Sequence, residues 1–300
     1  IDSSIISSIV SKHKIKAKFY SFKSKSKNYD ETKNINILKN KFKLNHQFVH
    51  SNKSNNFKML KKFICNFGFP LMSSTYLAYG SLCNKISKDN KKVLISGNGG
   101  DEIFSGYYAH HMSYLLSIES KSYFKKKYRE WEKNTKPYIR TSILKNLNEY
   151  KQLFKSPNPT FHENKEYEKY FTKKLKSDNL KNQIYSKDPF INHLNKDLFE
   201  DSIPAQIHSI DNISMYFSIE SRAPYLSKNL FDFRNKLNKN LFIKQGKAKF
   251  VLRNAFKKQL PQKIVNEKEK IGFYSTLNET INLKSSEVLN LILNNSITKK

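Results

Sequence analysis

The chain has 300 residues, 38% hydrophobic and 13% aromatic, enough apolar material for a core and too much for a wholly disordered chain. Fifty-five lysines and arginines against 25 acids give a formal charge of +30, yet only five of those cations are arginine, beside 33 asparagines and seven alanines. That bias is what an AT-rich genome writes by default. Scarcity of the residue that reads guanine and stacks on bases argues against dedicated nucleic-acid recognition and leaves a weak, salt-sensitive attraction to polyanions.

No run approaches the roughly 18 apolar residues of a membrane span, and no charged-then-apolar leader opens the chain. Cys65 and Cys83 make neither a disulfide framework nor a zinc cluster, so two thiols in a reducing cytoplasm are expected. The opening on Ile1 rather than methionine reads as a fragment.

In chain order, Ile1, Ile5, Ile6, Ile9 and Val10 fall at helical spacing behind Asp2 and serines. Residues 16–22 alternate as a strand. Thr32 to Lys43 reads as an amphipathic helix, and the HQFVH run after it as a short strand. Met59 to Phe67 and Ser73 to Lys85 read as helices parted by the Gly68–Pro70 break. The KKVLISG run is the cleanest strand, β-branched and stopped by glycine. Strands alternating with helices predict a doubly wound parallel sheet over residues 1–112. Beyond it, 113–300 reads as a mostly helical portion of the same unit, punctuated by Pro137, Pro157 and Pro159 up to Asp201.

Four segments carry chemistry. Asp2, Ser3 and Ser4 sit where a helix begins, so free N–H groups and the dipole suit an anion there, although an ordinary N-cap gives the same pattern. From Gly97 to Gly106, four of the chain's eight glycines stand in ten residues, with Asp101 and Glu102 among them. Such a turn lets backbone approach a ligand and places a carboxylate for a metal, or is simply tight with an acidic cap. Lysines after Gly246, at a helix start that prefers acids, hint at an anionic ligand. Glu220 and Arg222, two residues apart before Pro224, read equally as a structural pair or a site.

Together these segments resemble the synthetase domain of the glutamine-hydrolysing asparagine synthases, members of the PP-loop ATP pyrophosphatases. That family's loop reads SGG-x-DSS, and this chain opens on Ile-Asp-Ser-Ser, as though cut just after the glycines. The resemblance therefore implies that the first strand and half the loop are missing and that this piece is not active alone. SGNGGDEIFSGY matches the family's second motif, and DNISM with IESRAPYL its third. The KFVLR run, Leu260-Pro261 and Lys270-Ile271-Gly272-Phe273 match its last motifs, and Tyr29-Asp30-Glu31 a weaker one.

The resemblance implies ATP and Mg2+, adenylation of a carboxylate (aspartate or another acid), and attack by ammonia, free or glutamine-derived. It implies metal binding by Asp2 and Asp101, and phosphate binding by Ser3 and Ser4. Ser96, Gly97, Asn98 and Gly99 would meet the nucleotide, Ser21 and Phe22 would line its adenine side, and Lys270 would add to the pocket. Lys249, Asp101, Glu102, Glu220 and Arg222 are the implied catalytic set, with Lys249 neutralising charge on phosphate and acyl oxygens. A glutaminase domain upstream of Ile1 is implied as partner.

Three departures stand out. Asn98 replaces an acid, and an amide cannot deprotonate an amine. Ser227 replaces an aspartate, and Asn212 an arginine. These favour two rivals, a changed acceptor or a degenerate binding module. His110–His111 and the aromatic stripe from Tyr107 to Trp131 read as packing, and His46 is given no chemistry.

Overall fold

The computed structural model describes residues 1–154 and 183–294. Helix α1 (Asp2–Lys12) leads into β1 (Phe19–Phe22), α2 (Thr32–Phe42) and β2 (His46–Val49). The two strands pair in parallel, Phe19 against His46 through Phe22 against Val49, with α2 as their crossover. Next come α3 (Lys53–Phe67), α4 (Thr75–Lys88) and β3 (Val93–Ile95). Helix α3 starts six residues before the expected Met59, because the Asn52 side chain accepts the Asn55 N–H and caps it at a point where the sequence has no apolar periodicity. It stops at Gly68, whose φ of 74° is open to glycine.

Past the glycine turn lie α5 (Gly100–Phe104), α6 (Tyr108–Leu116), α7 (Lys121–Asn134) and α8 (Leu147–Phe154). Pro157 and Pro159 fall outside the described residues. Helices α9 (Pro189–Phe199) and α10 (Ser202–Tyr216) follow, then β4 (Glu220–Arg222). The chain closes with α11 (Lys228–Asn235), α12 (Phe250–Phe256), α13 (Gln262–Asn266), α14 (Leu277–Thr280) and α15 (Ser286–Leu293).

The result is a mixed α/β fold rich in helix. Among the described residues the strands form two separate two-stranded parallel pairs, β1–β2 and β3–β4, instead of the one wound sheet expected. Strand β4 was unforeseen: Glu-Ser-Arg has no apolar alternation, and only its pairing with Val93–Ile95 makes it a strand.

One hydrophobic cluster joins α3, α4 and α10 through Phe63, Leu77, Ile86 and Ile213. A second, around Ile5, Ile103, Phe104, Tyr225 and Leu252, lies beneath the starts of α1, α5 and α12. Those are the elements whose first residues carry the charged motifs, so this core fixes their mutual positions. The aromatic stripe is packing, as expected: Tyr114 and Trp131 are buried in two further clusters. Both cysteines are free, Cys83 buried and Cys65 exposed. Among the described residues no helix is long and apolar enough to cross a membrane.

Candidate functional site

Asp2 opens α1, Asp101 sits in the first turn of α5, and Lys249 caps α12. Sequence separations of about a hundred residues or more collapse here into one cluster. The Lys249 ammonium, on a residue only 3% exposed, touches the Asp2 carboxylate and lies 2.7 Å from Asp101 Oδ1. Lys270 lies 2.7 Å from Asp101 Oδ2. Burial opposes ionisation of Asp101, but the two ammonium groups hold its carboxyl far below the usual carboxylate range. Burial likewise opposes charging of Lys270, and Asp101 with Asp2 raises it above the ordinary lysine range. The two carboxylates and two ammonium groups offset one another, Lys249 buried and Lys270 partly exposed, with Arg253 adding a further positive charge near Asp2.

Local backbone serves this packing. A Cβ on Gly106 would fall 1.5 Å from Asp101 Oδ1, so only glycine lets the chain turn behind that carboxylate. A Cβ on Gly100 would fall 2.7 Å from Asp2 Cγ, which seats the Asp2 side chain directly on the turn. Lys249 and Ser105 both have positive φ, 55° and 65°, and the Lys249 N–H donates to the Ser105 carbonyl at 3.2 Å. Two non-glycine residues in the left-handed region cost on the order of 1–3 kcal/mol each, a strain that surrounding packing must sustain.

The turn completes the surroundings. The Ser96 N–H donates to the Arg222 carbonyl at 2.9 Å, extending the β3–β4 ladder, while Ser96 Oγ is buried and unbonded among the described residues. Gly97 and Asn98 are half-buried and Gly99 buried. Ser3 is exposed and Ser4 buried on the first turn of α1, whose leading N–H groups have no acceptor within the helix. Tyr225 donates its hydroxyl to the Asp2 carbonyl at 3.1 Å.

Other expected residues lie apart from the cluster. Glu102, 1% exposed, turns away into packing, where it accepts hydrogen bonds from Tyr107 (2.6 Å) and Ser202 (2.9 Å). Burial, then the Asp101 charge, raises its carboxyl above the usual range. Glu220 and Arg222 pair with each other at 2.8 Å, both side chains 59% exposed. Ser21 Oγ lies 3.0 Å from His46 Nε2, and Phe22 meets Phe273 edge-on at 6.1 Å.

Tyr107 and Tyr225 stood in the quoted motifs without a role, and Ser202 carried no pattern at all. His46, left without chemistry, proves to be the partner of Ser21. His110 and His111 are buried, as packing requires. His110, His193 and Asp197 bring ligand atoms within 4.8 Å of one another. The Tyr107 N–H, however, donates to His110 Nδ1, so the network assigns the ring proton to Nε2, which donates to Asp197 at 2.8 Å. That is a histidine–carboxylate hydrogen bond, with no lone pair from His110 left for a metal.

Fold and site together define an α/β protein with a buried carboxylate–ammonium cluster beside a strand-end glycine turn. The chain belongs to the asparagine synthase family, whose model matches residues 1–300. It is 25% identical over 259 residues to "Asparagine synthetase [glutamine-hydrolyzing] 1" of Bacillus subtilis (strain 168). The match covers 80% of this chain and 39% of that protein, so the chain spans well under half the length of this relative.

Proposed function

We propose that the chain is the ATP-dependent, amide-forming unit of an asparagine synthase-like ligase working in the cytoplasm. A carboxylate, foremost the aspartate side chain, attacks the α-phosphorus of ATP and expels pyrophosphate. Ammonia then attacks the acyl carbon and expels AMP, leaving asparagine. The observation that carries this reading is the single ammonium of Lys249 lodged between Asp2 and Asp101.

That arrangement suits a divalent cation. Two carboxylates already converge on one positive charge, and Asp2 Oδ1 is buried without a hydrogen-bond partner among the described residues. Asp2 and Asp101 would hold Mg2+, which supplies charge neutralisation on the phosphates when bound. The N–H groups of Ser3 and Ser4 receive phosphate oxygens at the α1 N-terminus, and Ser96 Oγ, Gly97, Asn98 and Gly99 line the nucleotide. Ser21 and Phe22 close its adenine side. Lys249 and Lys270 transfer their charge from the aspartates to the phosphate and acyl oxygens as negative charge develops there.

Arg222, exposed and joined through its carbonyl to Ser96, presents a guanidinium to the acid substrate, with Glu220 orienting it. Glu102 supports the site through Tyr107 rather than from within the cluster. Residues 1–112 supply the nucleotide half of the unit, and 113–300 the mostly helical half bearing both lysines. A glutaminase unit would feed ammonia, in line with the Bacillus relative's name as glutamine-hydrolysing.

The test is aspartate-dependent ATP–pyrophosphate exchange in the full-length protein. Exchange with aspartate that collapses in Lys249→Ala supports the reading, and absence of exchange with any acid overturns it. A second reading, a changed acid or amine, is favoured by Asn98 and predicts exchange with a different carboxylate alone.

A further inference from the structure

The stretch from Glu267 to Thr280 enters the candidate site at Lys270 and ends on Glu279, a residue with no part in the chemistry above. The Lys270 N–H donates to the Tyr108 hydroxyl at 2.9 Å, and its ammonium reaches Asp101. From Lys270 to Ser275 the backbone is neither helix nor strand, so its course depends on what holds its two ends. One end is held at Lys270, Ser275 is tied to Ser74 and Thr75 at the start of α4, and the remaining ties lead to the end of β1 and the loop after it. Phe273 packs on Phe22, Tyr274 lies 4.5 Å from Tyr29, and Arg140 donates both to Glu269 (2.9 Å) and to the Asn28 carbonyl (3.0 Å).

Glu279 makes the tightest tie. Its Oε1 accepts the backbone N–H groups of Lys25 and Ser26 (the latter at 2.9 Å) and the Ser24 hydroxyl at 2.8 Å. Its Oε2 accepts the Thr276 N–H at 3.2 Å, the local cap of α14. A helix cap accounts for that last bond and for none of the others, which come from 253–255 residues away. Burial opposes ionisation of Glu279, yet these donors hold its carboxyl below the usual glutamate range. Backbone N–H groups converging on a carboxylate form a charge-assisted grip, about twice as strong as a neutral one.

We infer that Glu279 is a positioning residue: it latches the loop Ser24–Ser26, which follows the Ser21–Phe22 strand end, to the segment that carries Lys270, so that the adenine side of the pocket and the lysine are set by one contact. The inference rests on the ATP chemistry proposed above for its functional consequence, though not for the latch itself.

The test uses the full chain with Glu279→Gln, which keeps one acceptor but faces the Thr276 N–H or the loop with an amide donor. Thr276→Ala serves as the comparison, because it removes the hydroxyl that caps α14 and leaves the loop bonds intact. ATP affinity is read by calorimetry without acid substrate, and loop order by tryptic cleavage after the exposed Lys25. Glu279→Gln is expected to weaken ATP about tenfold and raise the KM for ATP with the KM for acid unchanged, while cleavage after Lys25 speeds up. Thr276→Ala is expected to change neither affinity nor cleavage. Wild-type affinity in Glu279→Gln, or an equal loss in Thr276→Ala, overturns the positioning role. If the unmodified chain binds no ATP, the ATP reading falls by itself. The cleavage comparison then decides the latch, and an unchanged rate after Lys25 overturns it.

Discussion

Two ion pairs of like chemistry sit in opposite surroundings. Lys249 with Asp2 and Asp101 is almost wholly buried, whereas Glu220 with Arg222 lies in the open on β4. In water, side-chain entropy and screening cancel most of an ion pair's attraction, so a surface pair leaves stability nearly unchanged. In the interior each charge has lost its hydration, and the partners must remain matched or the survivor is stranded. Buried charge is therefore tolerated only where its partners stay matched, as Lys249 is between Asp2 and Asp101. The exposed pair is free to change partners at little cost.

The sharpest way to break this contrast is Lys249→Met. Taking the ammonium from Asp2 and leaving Asp101 with Lys270 alone is expected to cost about 3–5 kcal/mol in urea denaturation and at least about a hundredfold in ATP–pyrophosphate exchange. Retained stability and exchange would reduce the cluster to ordinary surface chemistry.

Gly106→Ala comes next. The added methyl meets Asp101 and Lys249, and overpacking of that kind is expected to destabilise by about 1–3 kcal/mol and to cut exchange more than about tenfold. Gly272→Ala, where nothing lies within 4 Å of the added carbon, is the control and should melt as the parent.

Acid titration sharpens the comparison further. Burial lowers His193 to about 4 and His111 to about 3, so both stay neutral in the folded chain while the unfolded chain protonates them near the ordinary histidine value. The unfolded state then binds more protons, and stability falls as pH drops below about 6.5 and levels off near the folded values. Asp101, held far lower, adds nothing to the slope between pH 6.5 and 5, so His111→Gln should flatten the melting-temperature profile there while Lys249→Met should not. The smallest structural effect belongs to Arg222→Gln. Its melting temperature should match the parent, with the KM for the acid raised about tenfold; an unchanged KM would return the pair to the surface.

Much of this was legible in the residues. The apolar spacing behind Asp2 and the KKVLISG run located α1 and β3, because period and β-branching act within a few residues. Asp2, Asp101, Lys249 and Lys270 stood out through glycine density, misplaced charge at helix starts and motif resemblance, and they are the four that meet. Glu102 stood out equally and turns the other way, since position i+1 on a helix points about 100° from position i. Strand β4 and the role of Glu279 left no trace, as each exists only through a partner more than a hundred residues distant.

The sequence by itself determined most helices and strands, though not β4 or the start of α3, and which side chains are acids, bases and turn-formers, because those depend on local torsions and periodicity. Tertiary structure decided which charges are buried together and which are left in water. Desolvation is a property of everything packed around a group, and no stretch of residues carries it alone.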